Sequence, residues 1–297
     1  MCGNDWVREM KLALGTAQFG LPYGVANQSG QVSRGAAASM LELARARGID
    51  TLDTAIAYGD SEACLGEIGV RQFRLITKLP AVPAGTADVK SWVCRQLEGS
   101  LERLGVDSLY GLLLHRPAQL LEPGGNLLFD ALRDLQESGR VQKIGVSIYA
   151  PNELDALLPN YRLDLVQAPF NLVDRRLASS GWLFRLKREG IEVHARSAFL
   201  QGLLLMPPGG IPQKFSQWSG IWTRWCNWLE QHPVPALRAC LAYPLQFPEI
   251  DRIVVGADSR EHLSQIIEAY MAGPVDRLPD LTCNDEDLIN PAHWPQL

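Results

Sequence analysis

The sequence predicts an α/β fold, a (β/α)8 TIM barrel, and three observations support this prediction. Eight short runs along the chain are nearly continuously apolar, as expected for strands buried on both faces of a parallel sheet. Amphipathic segments separate these runs, and several begin at a Ser or Asp N-cap and stop before a Gly. The 297 residues also suit a single barrel of about 250 residues. A doubly wound open sheet is the alternative that the same alternation allows.

The predicted strands are KLALG from Lys11, IDTLDT from Ile49, RLITKL from Arg74, SLYGLLLH from Ser108, KIGVSI from Lys143, LDLVQAP from Leu163, IEVHARS from Ile191 and RIVVGA from Arg252. The predicted helices are Ser33–Arg47, Asp88–Arg103, Leu127–Ser138, Asn152–Leu158, Arg175–Glu189 and Arg260–Ala272. We expect one domain over residues 1–297, with the barrel over about residues 11–272 and a C-terminal tail over residues 273–297.

A tryptophan-rich segment lies outside the barrel pattern. Trp218, Trp222 and Trp225 follow helical spacing, whereas we expect Trp228 to be displaced from their stripe. The pattern favours a helix held to the barrel by its Trp face. Stacking of these rings on a sugar is the alternative.

Charge and cysteine content exclude several classes of protein. The net charge is −5 and no run of Lys or Arg occurs, so we expect neither nucleic acid nor an anionic membrane as a partner. The six cysteines are far apart and without CxxC spacing, which favours reduced thiols in the cytoplasm over disulfides or a zinc site. The start MCGNDWVREMK has no apolar core of a signal peptide, and we predict no metal.

Four residues with proton-transfer chemistry lie at or just after the ends of the second, third and fourth predicted strands: Asp53, Tyr58, Lys78 and His115. Barrel enzymes place their chemistry at this rim, so we expect the four side chains to converge there. An ammonium lowers the pKa of a nearby phenol, which is ordinarily about 10. We therefore predict Tyr58 as the acid, with Lys78 tuning it, Asp53 holding Lys78, and His115 binding the oxygen that is protonated. Each residue alone has a structural explanation, but the set suits carbonyl reduction.

As a set, these residues resemble the aldo-keto reductases, in which Asp and Tyr share one loop, Lys follows the next strand and His the one after. The resemblance covers roughly residues 11–272 and implies a barrel that binds a nicotinamide dinucleotide across its mouth and reduces an aldehyde or ketone. Neither GxGxxG nor GxxxxGK is present, so the other common nucleotide motifs are missing. GTAQFGLPYGVAN and RSAFLQGLLL resemble a bacterial branch found with sugar or surface-polysaccharide biosynthesis, which points to a sugar-derived carbonyl.

The resemblance also implies contacts to the cofactor, in several groups along the chain, and Asp53 is expected among them. Thr16 and Ala17 are expected near the nicotinamide ribose, and Ser147 and Gln167 at the carboxamide. Arg196 stands where the family usually has an aromatic residue stacked on the nicotinamide. The pyrophosphate loop is expected to contribute Ser197, Phe199, Gln201, Gly202 and Leu203, and the adenosine end Gly256, Ala257, Ser259, Arg260 and Gln265.

The choice of cofactor depends on the last helix. The family's usual basic residue and Asn are His262 and Ile266 here. Arg260 at the start of that helix favours NADPH, because a helix N-terminus and a guanidinium both attract a phosphate. NADH is the alternative, because the acidic Asp258 lies nearby.

The sequence also allows other functions that would use the same residues. The chain suits a sugar dehydrogenase, a non-catalytic cofactor-sensing protein, or an aldolase or isomerase that uses Lys78 as a Schiff-base nucleophile. Arg116 and Arg196 together predict a substrate with an anionic or densely hydroxylated part, unless Arg116 pairs with a neighbouring acid. The sequence indicates no particular oligomeric state.

Overall fold

Eight parallel strands close into a barrel in chain order in the computed structural model, which describes residues 10–27 and 29–296. The predicted (β/α)8 barrel is therefore confirmed, and the open sheet is excluded. The strands are β1 Leu12–Gly15, β2 Thr51–Asp53, β3 Arg74–Leu79, β4 Leu109–Leu114, β5 Val141–Ser147, β6 Leu165–Pro169, β7 Glu192–Arg196 and β8 Arg252–Gly256. The chain start and Cys2, on which we based expectations above, lie outside the described residues.

Helices connect the strands and cover the outside of the barrel. They are α1 Ala17–Gly20, α2 Arg34–Ala46, α3 Ser61–Ile68, α4 Val89–Leu104, α5 Gly125–Glu137, α6 Glu153–Leu157, α7 Arg176–Ser179, α8 Trp182–Arg188, α9 Ser219–Gln231, α10 Ala236–Leu245, α11 Arg260–Met271 and α12 Glu286–Ile289. Short 3₁₀ turns span Pro117–Leu121, Leu200–Leu205, Gln213–Trp218 and Trp294–Gln296. Among the described residues, no helix is long and apolar enough to cross a bilayer.

Several helical segments differ from the prediction, and α1, α10 and α12 are not among the predicted helices. Helix α3 was not predicted, because its eight residues show only weak amphipathic spacing. The predicted helix Arg175–Glu189 is divided into α7 and α8, because Gly181 between them adopts a left-handed conformation with φ of 81° that ends one helix and starts the next.

The barrel interior is apolar at its middle and polar at both ends. Ile76, Leu113 and Leu165 form a buried cluster of their own, separate from the main core. Because successive strand residues face opposite sides, Lys78 and Gln167 lie two residues further along β3 and β6, on the same inner face and nearer the carboxyl rim. The apolar layer closes the barrel below these residues, so a ligand reaches them only from the rim.

The tryptophan segment is a helix anchored to the barrel, as predicted, and all four indoles are buried. Each indole N–H donates a hydrogen bond: Trp218 to Asp285, and Trp222, Trp225 and Trp228 to backbone carbonyls. The expected displacement of Trp228 is wrong, because its ring stacks on Trp225 with centroids 5.8 Å apart. Residues three apart share a helix face, so the stripe includes all four rings.

A buried carboxylate joins α3 to β3 and α4. Glu62 is 1% exposed and accepts hydrogen bonds from the hydroxyls of Thr77 and Ser100, each at 2.6 Å. Arg103 donates two more, from Nε at 2.9 Å and Nη2 at 2.6 Å. Burying a carboxylate is costly unless its oxygens are satisfied, and here both are. Because α3 follows directly on the loop that carries Tyr58, this network holds one end of that loop in place at the rim of the barrel.

We expect Glu62→Ala to lower the free energy of unfolding by about 2 to 4 kcal/mol, because it leaves buried hydroxyls and a guanidinium without their acceptor. Chemical denaturation measures this value. Glu67→Ala is the control on the same helix: its carboxylate is half exposed and pairs with exposed Arg34, so the loss should stay below about 0.5 kcal/mol. Equal losses in the two variants would contradict the assignment of the network.

Candidate active site

A chain of hydrogen bonds crosses the carboxyl end of the barrel and is centred on Asp53. Lys78 Nζ donates to Asp53 Oδ1 at 2.6 Å, and Gln167 Nε2 donates to Asp53 Oδ2 at 2.7 Å. The Ser147 hydroxyl donates to Gln167 Oε1 at 3.2 Å. Lys78 and Asp53 are 1% and 4% exposed, so each charge depends on the other for compensation. Strands β2, β3, β5 and β6 are thus linked through one carboxylate.

Hydroxyl groups hold the backbone of Asp53 in place. The Thr16 hydroxyl and the Thr16 backbone N–H both donate to the carbonyl of Asp53, at 3.1 and 2.9 Å. The Ser61 hydroxyl donates to the Thr16 carbonyl at 2.8 Å and lies 3.1 Å from the hydroxyl of Thr54. All of these side chains are buried. These hydrogen bonds therefore fix the backbone at the end of β2, from which the Asp53 side chain projects.

Two glycines set the position of Tyr58. A Cβ added to Gly20 would overlap the carbonyl oxygen of Tyr58, and one added to Gly59 would overlap the carbonyl oxygen of Gly20. The two backbones therefore pack directly against each other, and Gly59 adopts a φ of 51°, which glycine accepts without strain. This contact directs the Tyr58 ring over Lys78, whose Nζ lies 5.2 Å from the ring centroid.

His115 completes the group, with its ring centroid 5.9 Å from that of Tyr58 in an edge-on arrangement. Burial, followed by the charge of Lys78, lowers the pKa of His115 to about 4. The imidazole is therefore neutral at pH 7 and has one N–H to donate. A neutral donor beside the phenol suits the binding of a carbonyl oxygen.

The environment of Tyr58 raises the pKa of its phenol, with burial as the larger cause and the charge of Asp53 as the second. The expectation of a lowered phenol pKa is therefore wrong for this structure. The short contact between Lys78 and Asp53 commits the ammonium to the carboxylate, so its attraction for a phenolate does not outweigh burial and the charge of Asp53. Tyr58 stays protonated at neutral pH.

These residues form one part of a cavity of about 670 Å³ at the mouth of the barrel. Of the predicted catalytic residues, Asp53, Tyr58 and His115 line the cavity, while Lys78 lies beneath them. The predicted cofactor contacts that line it are Thr16, Ala17, Asp53, Ser147, Gln167, Arg196, Ser197, Phe199, Gln201, Gly202, Gly256, Ala257 and Gln265. Within the described part of the chain, no cluster of three or more potential metal ligands occurs.

The sequence model described as the aldo/keto reductase family matches residues 11–277. The chain belongs to that family. The matched range contains the whole barrel together with Asp53, Tyr58, Lys78 and His115.

Individual relatives are more distant. The chain is 33% identical over 174 residues to an aldo-keto reductase of Mycobacterium sp. (strain JLS), a match that covers 56% of this chain and 59% of the relative. It is 28% identical over 249 residues to the 6-dehydroglucose reductase of Agrobacterium fabrum, covering 77% and 80%. The holo form of an aldo-keto reductase from Bacillus halodurans shares the fold with a TM-score of 0.68 at 20% identity, covering 89% and 88%. The matches thus span little more than half the length of the first curated relatives.

Three of the expected aldo-keto reductase cofactor contacts do not line the cavity: Leu203, Ser259 and Arg260. Leu203 is buried in the core. Ser259 is the N-cap of α11, and its hydroxyl accepts from the N–H of His262 at 3.1 Å. The Arg260 guanidinium turns to α2, donating to the Ser39 carbonyl at 2.5 Å and lying 3.6 Å from Glu42. Its expected position at the cofactor is therefore not found in this structure.

The cavity lining also contains residues that the sequence did not reveal. Tyr23, Asn27 and Tyr149 line it, and all three lie in loops after strands, where no periodicity marks a site. Arg196 lies over the Tyr149 ring, 4.7 Å from its centroid, and donates to the Ile148 carbonyl at 2.9 Å. A guanidinium stacked on an aromatic ring is well oriented, and the bond to Ile148 fixes it further.

Arg116 does not join Arg196 at the mouth. Its guanidinium pairs with Glu122 at 2.8 Å, and the side chain is 58% exposed. The expected pair of guanidiniums is therefore wrong, and the alternative that Arg116 pairs with a neighbouring acid is confirmed. Arg196 is the arginine that lines the described cavity.

We expect Lys78→Met to lower the free energy of unfolding by about 3 to 5 kcal/mol, because it leaves the buried Asp53 carboxylate without its counter-charge. The double variant Asp53→Asn/Lys78→Met removes both charges and should be clearly more stable than Lys78→Met alone. Denaturant titrations of the three proteins measure this. A double variant less stable than Lys78→Met would show that the two side chains are not coupled as a pair.

The low pKa of His115 predicts a loss of stability in acid. Its pKa of about 4 in the folded protein lies below the ordinary 6.5, so between these values the unfolded state binds more protons and acid favours unfolding. Between pH 7 and pH 4 the wild type should lose about 2 to 3 kcal/mol more stability than His115→Gln. Denaturation curves at several pH values test this, and parallel pH profiles for the two proteins would contradict it.

Proposed function

We propose that this aldo-keto reductase reduces an aldehyde or ketone to an alcohol, with Tyr58 as the proton donor and a nicotinamide dinucleotide as the hydride donor. The observation that carries the proposal is the convergence of Tyr58, His115 and the Asp53–Lys78 pair at one part of the cavity. An acid without a hydride source reduces nothing, so the proposal includes the cofactor.

The residues that line the cavity fit such a cofactor. A volume of about 670 Å³ lies within the range of about 300 to 1,000 Å³ usual for ligand sites. The loop after β7 holds Ser197, Leu200 and Gln201 at φ of 60°, 47° and 52°, a conformation that costs energy in residues other than glycine and that clusters at binding sites. Ser147 and Gln167 offer amide and hydroxyl groups for a carboxamide.

The chain's own groups have distinct roles in this reduction. Tyr58 gives its proton to the carbonyl oxygen as the carbonyl carbon accepts a hydride, which the bound nicotinamide supplies. His115, neutral at pH 7, donates a hydrogen bond to the same oxygen. Lys78 lies beneath the phenol, and its charge stabilises the phenolate left behind. Asp53 holds Lys78 charged and in place.

The protonation state of Tyr58 supports reduction rather than alcohol oxidation at neutral pH. Burial raises the pKa of the phenol, so the acid form that reduction needs is the resting form. Alcohol oxidation starts from the phenolate, which is scarce under the same conditions. This argues against the sugar dehydrogenase alternative as the neutral-pH activity.

The geometry of Lys78 argues against a Schiff-base enzyme. Its side chain is 1% exposed, and its ammonium donates to Asp53 and to the Thr54 carbonyl at 2.9 Å. A lysine nucleophile has to reach the substrate as a free amine, and this one is covered and held by Asp53 and the Thr54 carbonyl. A non-catalytic sensor has no need for the intact set of Tyr58, His115 and the ion pair, so catalysis is favoured over sensing.

We infer a sugar-derived or otherwise hydroxylated carbonyl as the substrate. Tyr23, Tyr149 and Arg196 line the cavity and offer hydroxyl and guanidinium groups to a polar ligand. Relatives named 6-dehydroglucose reductase and L-glyceraldehyde 3-phosphate reductase, from Agrobacterium fabrum and Escherichia coli, support the same class.

We expect Tyr58→Phe to lower kcat for carbonyl reduction by about 10²-fold to 10⁴-fold, the usual effect of removing a positioned general acid. Cofactor affinity, measured by fluorescence titration, should change little. Tyr23→Phe is the matched control, because it removes a second cavity hydroxyl, which here accepts from Gln201 at 3.1 Å, without removing the acid. A Tyr58→Phe enzyme as active as the wild type would exclude Tyr58 as the proton donor.

A further inference from the structure

The cavity has two chemically different ends, on opposite sides of the barrel. Tyr58, Lys78 and His115 follow β2, β3 and β4, whereas the far wall is formed by the loop after β8 and by α11. In a closed barrel of eight strands in chain order, β8 lies across from β4. A dinucleotide whose nicotinamide lies within reach of Tyr58 therefore places its adenosine end toward β8 and α11.

Asp258 is the acidic residue at this far end. Its carboxylate lines the cavity, and its Oδ1 is buried with no hydrogen-bond partner among the residues that the structure describes. Burial raises the pKa of Asp258, and the charge of His262 opposes this. A buried carboxylate oxygen without a donor costs free energy, so the site is stabilised by any ligand that brings a hydroxyl to it.

The cation that would bind a 2′-phosphate is directed elsewhere. Arg260 is held by the Ser39 carbonyl and by Glu42 on α2, and does not line the cavity. Other polar side chains of this end are Gln18, which packs against Gly256, and His262 and Gln265, and none of the three carries a permanent charge. The far end is therefore acidic rather than basic.

We propose that Asp258 makes this reductase selective for NADH, by accepting hydrogen bonds from the adenosine ribose hydroxyls and by repelling the 2′-phosphate of NADPH. The inference rests on the proposed function, since it needs a nicotinamide dinucleotide in this cavity. Acidic side chains read ribose hydroxyls in the same way in other dinucleotide sites, where arginine accommodates the 2′-phosphate. The expectation of NADPH depended on Arg260 and is replaced.

The test is an equilibrium titration of the wild type, Asp258→Asn and Asp258→Ser with NADH and with NADPH, followed by cofactor fluorescence. We expect the wild type to bind NADH at least about tenfold more tightly than NADPH, the minimum for one charge-assisted contact. In both variants NADPH affinity should rise and NADH affinity should fall, so that the preference shrinks by about tenfold or more. Two variants guard against the misfolding of one.

Glu261→Gln is the matched control, because Glu261 is an exposed carboxylate three residues from Asp258, at the start of α11, and does not line the cavity. Its preference for NADH should equal that of the wild type. A wild type that binds NADPH as tightly as NADH, or Asp258 variants that shift both cofactors equally, would overturn the selectivity and leave the proposed reduction standing. Binding of neither cofactor would overturn both.

Discussion

The Asp53 carboxylate is the group on which the site depends, because it bonds Lys78 with one oxygen and Gln167 with the other. Taking two charges out of water costs several kcal/mol for each ion, and only a short, well-aligned contact between the two charges compensates for that cost. The barrel supplies the geometry by fixing β2 and β3 side by side in register. The Asp53–Lys78 pair places polar groups at the bottom of a cavity whose floor is otherwise apolar.

Because Asp53 and Lys78 pair with each other, the charged and the neutral groups of the site lie in different places. Tyr58 and His115, which line the cavity, are neutral at pH 7 because burial shifts the pKa of each toward its uncharged form. The charged residues lie underneath and are compensated. In the proposed reduction, a substrate carbonyl would meet these two neutral hydrogen-bond donors, and charge would develop only when the proton leaves Tyr58, above Lys78. Stabilisation that appears only in the transition state raises kcat.

The sequence was informative wherever local chemistry and strand periodicity act together. The strands and the positions of Asp53, Lys78 and His115 follow from apolar runs that end in a polar residue, because parallel strands bring their carboxyl ends to one rim. The orientation of the Arg260 side chain could not be predicted from the sequence. A long side chain at this position is able to reach either the cavity or α2, and tertiary contacts decide between them. The high pKa of Tyr58 could not be predicted either, because it depends on burial and on how fully Asp53 neutralises Lys78.

The two ends of the cavity are separate, so the cofactor preference of such an enzyme is able to change independently of its proton-transfer groups. The proton-transfer groups depend on hydrogen bonds among β2, β3, β5 and β6, whereas Asp258 follows β8 and has no bond to that network. A side chain at the proposed adenosine end is therefore free to alter the electrostatic preference for a phosphate without moving Tyr58. Coupling between distant sites requires shared contacts, and here the open cavity lies between the two groups.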